Sequence, residues 1–225
     1  MNELRDYVVE SAAKKREYAL FSNINVFVKD FPESDEVDIP SLIQHIEKLI
    51  PRHFFEDIEV IYIGQFDILG DRNAAYEHGG IYVTNGEQTN FDILEDIIHE
   101  TAHAIEKRYI EFLYDDHRLA NEFLGKRRRL RSILEEEGFH APLDALENTE
   151  YSKNFDYFLK DTVGYPLLLT LTMGLFVSPY AATSLSEYFA DGVEKFYLGE
   201  VETVRQISPE LYKKITYLHS LENDA

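Results

Sequence analysis

The sequence contains no cysteine. A disulfide framework is therefore excluded, and so is a zinc site built from cysteine thiolates. Positive charge is also scarce. The sequence has 22 Lys and Arg residues but 42 Asp and Glu residues, which gives a net charge of −20. This imbalance disfavours nucleic acids and anionic membranes as partners, because both attract basic surfaces. It favours solubility and is compatible with a basic substrate.

Long apolar stretches are absent as well. The longest, residues 165–177, is too short to cross a bilayer, and we expect it to form a buried helix instead. Residues 1–6 are polar and acidic and no apolar core follows them, so we expect no secretory signal peptide. These absences predict a cytoplasmic protein, or one that is exported by a route that needs no signal peptide.

The length of 225 residues, 44% of them apolar, suits a single domain over residues 1–225. Hydrophobic periodicity predicts both strands and helices in the first half of the chain. The strands are expected at residues 24–28, 58–66 and, within the stretch 76–84, at residues 79–83, and the helices at residues 3–21, 39–50 and 92–109. We therefore predict an α+β fold, with a small mixed sheet over the last of these helices.

The second half of the chain has a mostly helical pattern, which divides the domain into an α/β part of about residues 1–110 and a helical part of about residues 111–225. Within the helical part, residues 139–161 are expected to be rich in loops. The basic run Lys126–Arg131 precedes three glutamates. Such a run can bind nucleic acid, but the acidic chain favours a solvated helix with intrahelical ion pairs.

Residues 99–103 form one HExxH motif, composed of His99, Glu100 and His103. Histidines four residues apart share one face of a helix and can bind the same zinc ion. Glu100 can then reach a water molecule bound to that metal. A solvated surface helix is the alternative interpretation. Residues 97–105 contain no other charged residue and no Pro or Gly, which favours a buried helix instead.

A catalytic zinc ion requires a third protein ligand and one open position. The extended pattern HExxHxxGxxH is absent, because Glu106 and Tyr109 occupy its Gly and last His positions, and the metzincin arrangement is thereby excluded. Two other glutamates compete for the third position. Glu122 follows an asparagine 19 residues after the motif, as in the thermolysin-like arrangement. Glu187 is the second candidate.

Glu187 lies in the first turn of a predicted helix that Ser184 or Ser186 can cap. An ordinary glutamate at a helix N-terminus would also fit that position. Asp191 lies four residues later on the same helical face. A carboxylate there can accept a hydrogen bond from the free ring nitrogen of a zinc-bound histidine.

The HExxH motif followed by Tyr-x6-Glu-x-Phe-Ala-Asp in residues 180–191 resembles the catalytic domain of the anthrax lethal factor family, which are gluzincin-type zinc peptidases. The resemblance covers three patches between Tyr76 and Leu198. It implies a zincin-like metallopeptidase fold and a bound Zn²⁺ cofactor. It also implies that the zinc ligands are His99, His103 and Glu187, that the general base is Glu100, and that the tyrosine stabilising the transition state is Tyr180.

The function expected from this resemblance is hydrolysis of peptide bonds in a protein or peptide substrate, by an endopeptidase rather than an exopeptidase. Glu100 would take a proton from the metal-activated water, and Tyr180 would help to hold the developing oxyanion. Gly80, Ile81 and Tyr82 would form the sheet edge to which an extended substrate adds as a strand.

Two alternatives remain open from the sequence. The first is a zincin fold that is kept for binding or assembly without hydrolysis. It is disfavoured because the general base, the three ligands and the tyrosine are all present. The second is a metal-dependent hydrolase that acts on a non-peptide amide.

Overall fold

The computed structural model describes residues 16–32, 37–86 and 88–221. The chain divides into two compact units, one that extends to Ile97 and one that begins at Ile98. The boundary falls inside a helix, not near residue 110, where the sequence pattern changes from α/β to helical.

The N-terminal unit contains a five-stranded mixed sheet. Its strands are β1 (Glu17–Leu20), β2 (Ile24–Val28), β3 (Val60–Ile63), β4 (Ala74–Glu77) and β5 (Gly80–Val83). They are ordered β1-β2-β3-β5-β4, with β2, β3 and β5 parallel and the two outer strands antiparallel to their neighbours. The unit also contains helix α1 (Ile39–Leu49) and a 3₁₀ turn at Arg52–Phe55.

The two faces of this sheet differ in burial. Alternate residues of the three parallel strands are buried on one face, where Val26, Ile61 and Ile81 are paired in register. On the other face, aromatic rings of Phe27, Tyr62 and Tyr82 stack across neighbouring strands. These rings are half-buried. The period-2 pattern of the sequence therefore corresponds to a sheet with one core face and one aromatic face.

One prediction for this unit is wrong and another is incomplete. Residues 3–15 of the helix expected at residues 3–21 lie outside the described part of the chain, and in the rest of that range Glu17–Leu20 is strand β1. The strand expected at residues 79–83 is confirmed as β5. It is the second strand of a hairpin with β4, because His78 and Gly79 take positive φ angles of 50° and 82° and reverse the chain.

The hairpin also overturns the proposed substrate edge. Strand β5 pairs with β3 on one side and with β4 on the other. An interior strand has no row of unpaired backbone groups with which a peptide could pair. The prediction that Gly80, Ile81 and Tyr82 form the edge that receives a substrate strand is therefore wrong.

Helix α2 (Asn90–Arg108) carries the HExxH motif and confirms the helix predicted at residues 92–109. It begins with a capping box, in which the backbone N–H of Thr89 donates to Asp92 Oδ2 at 2.8 Å and the backbone N–H of Asp92 donates to Thr89 Oγ1 at 3.3 Å. Ile98, Ala102 and Ile105 are fully buried on this helix. The motif is thus held on a regular, buried helix.

The C-terminal unit contains helices joined by loops, and its described residues form no strand. After α2 come α3 (Ile110–Tyr114), α4 (Arg118–Glu136), α5 (Leu143–Leu146), α6 (Lys153–Tyr157), a π-helical segment (Phe158–Gly164), α7 (Tyr165–Leu171), a 3₁₀ turn (Tyr180–Ala182), α8 (Leu185–Tyr197), α9 (Val201–Ile207) and α10 (Pro209–Ser220). The protein is therefore α+β, with a small mixed sheet followed by a helical C-terminal part, as predicted.

The apolar run at residues 165–177 is only partly the buried helix that was expected. Leu168 is buried, but Leu169 and Met173 expose 61% and 77% of their surface. Helix α7 also ends at Leu171, after seven residues. Among the described residues, no helix has both the length and the apolar character that crossing a bilayer demands.

The basic run on α4 is not the uniformly solvated face that was expected. Arg131 forms a predicted intrahelical ion pair with Glu135 at 2.8 Å. Lys126 and Arg127, by contrast, are buried. The ammonium group of Lys126 donates to backbone carbonyls of Leu175 and Ile207. Buried carbonyls at loops and helix ends require donors, and these two cations supply them.

Candidate metal centre

The two histidines of the motif lie side by side on α2. Their ring centroids are 5.0 Å apart and the rings are nearly perpendicular, at 75°. Both side chains are partly exposed, at 16% for His99 and 22% for His103. Their position on one helical face follows directly from the four-residue spacing.

The third donor comes from α8. Ser184 caps this helix by accepting a hydrogen bond from the backbone N–H of Glu187 at 3.0 Å, which places Glu187 in the first turn as predicted. Glu187 Oε2 lies 3.0 Å from His99 Nε2 and 3.6 Å from His103 Nε2. The three donor atoms lie within 4.8 Å of one another.

These distances are close to those between the ligand atoms of a tetrahedral zinc ion, although the 3.0 Å separation of Glu187 Oε2 from His99 Nε2 is that of a hydrogen bond. Zn–N and Zn–O bonds of about 2.0–2.2 Å place neighbouring ligand atoms about 3.3–3.6 Å apart. Two imidazole nitrogens and one carboxylate oxygen are also a donor set of catalytic zinc sites, which leave a fourth position open. The side chains of His99, His103 and Glu187 therefore suit a zinc ion in both distance and chemistry.

Hydrogen bonds within this cluster raise the pKa of His103 and lower that of Glu187. Burial alone would lower the pKa of His103, but hydrogen bonds with Glu106 and Glu187 outweigh burial and raise that pKa to about 9. Burial would raise the pKa of Glu187, but hydrogen bonds from His103 and His99 hold it at about 2. Without metal, protons thus occupy the imidazoles that a zinc ion would require in neutral form.

The other ring nitrogen of His99 faces two carboxylates of α8. His99 Nδ1 lies 3.3 Å from Asp191 Oδ1 and 3.2 Å from Glu194 Oε2. A neutral imidazole that binds a metal through Nε2 must keep its proton on Nδ1, and we interpret both carboxylates as acceptors for that proton. Asp191 occupies the predicted place beside the histidine. Glu194 was missed, although it follows Glu187 by two helical turns on the same face.

His103 has a different set of neighbours. Its Nδ1 lies 3.2 Å from Ser186 Oγ and 3.6 Å from Glu106 Oε2. Ser186 also donates to Glu106, and the hydroxyl of Tyr114 donates to the other oxygen of the same carboxylate. In the sequence, Glu106 stands out only because it occupies the Gly position of the metzincin pattern. Its position three residues after His103 on one helical face was the signal for this contact.

Tyr180 lies beside the histidine pair in the 3₁₀ turn that precedes α8. Its ring centroid is 6.4 Å from that of His99. Burial raises the pKa of Tyr180, and the negative charges of Glu187 and Asp156 raise it further, so that the hydroxyl stays protonated. Within the described part of the chain, we find no hydrogen-bond partner for this hydroxyl. The Tyr180 hydroxyl therefore has a proton to donate, and its ring lies next to that of His99.

Glu100 lies on α2 directly after His99 and one turn before His103, and it is half-buried. The structure brings together five of the residues singled out in the sequence, namely His99, His103, Glu187, Tyr180 and Asp191. Glu100, the predicted general base, lies on the same helix as both histidines. Gly80, Ile81 and Tyr82 belong to β5 of the N-terminal unit.

Glu122, the competing third ligand, has a different role. Its Oε1 accepts hydrogen bonds from the Tyr188 hydroxyl at 2.9 Å and from the backbone N–H of Leu211 at 3.2 Å. Its Oε2 accepts from the backbone N–H of Glu210 at 2.8 Å. Glu122 therefore satisfies free N–H groups in the first turn of α10. The carboxylate beside the histidines belongs to Glu187.

The buried Arg127 holds the segment that leads into α8. Among the described residues, its guanidinium donates to the backbone carbonyls of Ala145, Asn148, Ala182 and Thr183. It also lies between the rings of Phe123 and Phe155, 4.6 and 4.7 Å from their centroids. Two of the four carbonyls immediately precede the Ser184 cap. Arg127 therefore fixes the backbone from which Glu187 projects.

No protein-family model, no curated protein sequence and no solved structure matches this chain. The function is accordingly inferred from the side chains of the site and their arrangement.

Proposed function

We propose that this protein is a zinc-dependent peptidase, with Zn²⁺ held by His99, His103 and Glu187. The observation that carries the proposal is the convergence of three donor atoms from α2 and α8, within 4.8 Å of one another. The carboxylate comes from a helix far along the chain, and its position depends on a serine cap of its own. Local helix stability alone does not require this arrangement.

Zinc bound at this site would supply Lewis acidity, which lowers the pKa of a coordinated water to about 7 and polarises a carbonyl group. Glu100 would accept the proton of the attacking water and later deliver it to the leaving amine. The Tyr180 hydroxyl would donate a hydrogen bond to the oxyanion that develops on the substrate carbonyl. Asp191 and Glu194 would keep the Nδ1 proton of His99 in place.

We further propose that the C-terminal unit and the motif helix are a zincin-like peptidase of the gluzincin type, similar to the anthrax lethal factor family. Three features support this: the ligand order His99, His103, Glu187; the carboxylate of Asp191 on the first histidine; and the tyrosine seven residues before Glu187. An endopeptidase acting on proteins or peptides is the corresponding activity.

The test is a comparison of wild type with Glu100→Gln in a peptide-library cleavage assay, using zinc-loaded protein. Glutamine keeps the size of the side chain but cannot accept the proton, so hydrolysis should fall by at least about 10²-fold while zinc content stays the same. Equal activity in both proteins would identify a contaminating protease. Zinc-loaded wild type that cleaves no peptide would favour a binding module or a non-peptide amide substrate.

A further inference from the structure

Asp191 contacts more than the histidine. Its Oδ1 lies 3.3 Å from His99 Nδ1, whereas its Oδ2 accepts a hydrogen bond from the hydroxyl of Ser178. Asp191 is only 4% exposed, so solvent competes little for either contact. One buried carboxylate therefore bridges a proposed zinc ligand and a residue on the segment before α8.

Ser178 also contacts the 3₁₀ turn Tyr180–Ala182. Its Oγ accepts a hydrogen bond from the backbone N–H of Ala181 at 3.0 Å. The hydroxyl thus donates its only proton to Asp191 and uses a lone pair for the turn, so that both of its hydrogen bonds are compatible. Ala181 is fully buried and directly follows Tyr180. The next residues of this turn are fixed from the other side by Arg127.

We propose that Ser178 is a positioning residue for Tyr180. It holds the turn that carries Tyr180, and it is itself held by Asp191, the carboxylate that also contacts His99. The positions of His99, the proposed metal ligand, and Tyr180, the proposed oxyanion donor, then depend on the same carboxylate. Their positions relative to each other therefore stay constant. A catalytic hydroxyl must be held to within a fraction of an ångström of its productive position, and a short turn without such an anchor would not ensure this. The catalytic part of this inference rests on the proposed peptidase function, whereas the mechanical link does not.

The mechanical link is tested by amide hydrogen exchange of Ala181, followed by NMR in the full-length chain without added metal. Ser178→Ala should speed exchange at Ala181 by about 10-fold or more, because its acceptor is lost. Asp191→Ala should also speed it, although the Ala181 N–H donates to Ser178 and not to Asp191, because the serine loses the acceptor that orients its hydroxyl. An unchanged Ala181 rate in Asp191→Ala would overturn the link, and the exposed Ser132→Ala serves as the control.

The catalytic role is tested by steady-state kinetics of zinc-loaded variants. Ser178→Ala should lower kcat by about 10-fold with little change in KM or zinc content, because Tyr180 acts on the transition state. Ser178→Thr, which keeps the hydroxyl, should restore most of the loss. In a Tyr180→Phe background, Ser178→Ala should have almost no further effect.

The kinetic outcomes separate the two proposals. An equal loss of kcat from Ser178→Ala in both backgrounds would show that Ser178 acts elsewhere, and it would overturn its positioning role. A zinc-loaded wild type without any peptidase activity would overturn the proposed function instead. In that case the exchange rate of Ala181 still decides whether Ser178 and Asp191 hold the turn.

Discussion

The surroundings of His99 and of His103 differ in where their acceptors come from. His99 faces Asp191 and Glu194, which lie on α8, more than 90 residues along the chain. His103 faces Glu106 on its own helix, with Ser186 from α8 between them. The orientation of His99 therefore depends wholly on tertiary structure, whereas that of His103 is set in part by the local helix. Glu187 is shared by both rings.

The shared carboxylate gives the largest expected effect. Glu187→Ala removes the proposed third ligand and the common hydrogen-bond acceptor of both histidines, and zinc affinity should fall by about 10³-fold or more. Elemental analysis after dialysis against a weak chelator measures this loss. Glu122→Gln is the matched control and should keep one zinc per chain. Zinc that stays bound to Glu187→Ala but is lost from Glu122→Gln would place the third ligand on α4.

Proton competition should have the next largest effect on zinc binding. The pKa of His103 is raised to about 9, and that of His99 is also well above its usual value. Binding at lower pH must therefore displace protons from both rings. Zinc affinity should fall by about 10- to 100-fold per pH unit from pH 9 down to 7, as measured by competition with a chromophoric chelator. A flat profile would contradict these protonation states.

The stability of the metal-free protein should have the opposite pH dependence. Because the folded pKa of His103 lies above its unfolded value, this histidine stabilises the fold fully below about pH 6.5, and its contribution is lost as the pH rises through about 9. The free energy of unfolding should therefore fall by up to about 3 kcal/mol over that range. Urea unfolding at pH 6.5 and 9, with and without zinc, compares the two trends.

The acceptors of His99 should be partly redundant. Asp191→Ala should weaken zinc binding by about 10- to 100-fold, because it removes one acceptor and also frees Ser178. Glu194→Gln should have a smaller effect while Asp191 remains. The double variant should lose more than the product of the two single losses, because no carboxylate is then left for the Nδ1 proton. Strictly independent effects, measured in the same zinc titration, would contradict a shared proton.

The smallest effect is expected on the His103 side. Glu106→Gln keeps an acceptor of the same size next to Ser186, so zinc affinity should fall by less than about 10-fold. The exposed Glu111→Gln on α3 is a control of the same charge change. A loss as large as that of Asp191→Ala would remove the difference between the two histidines.

The sequence predicted those parts of the fold and the site that depend on local periodicity. Helix α2, the shared face of His99 and His103, and the serine-capped first turn that holds Glu187 all follow from spacings within a few residues. Strand β2 and helix α1 were predicted for the same reason.

The partners of buried charges were harder to predict. Lys126 and Arg127 follow Phe123 by three and four residues, and so lie on the buried stripe of α4. The run of basic residues nevertheless suggested a solvated face. Their acceptors are backbone carbonyls that lie 18 to 81 residues away in sequence and the Ser208 hydroxyl, 82 residues away. No local pattern encodes such contacts, because they arise only when loops and helix ends lack donors of their own.

The sequence by itself determined the candidate metal ligands: two histidines on one helical turn, two competing glutamates further along the chain, and no cysteine to offer another solution. Only the tertiary structure decided which glutamate meets the histidines. Glu122 and Glu187 have equivalent side chains, but α10 supplies N–H donors to the first, whereas α8 directs the second toward His99 and His103. A carboxylate binds whichever donors surround it, and those donors are assembled by packing between distant helices.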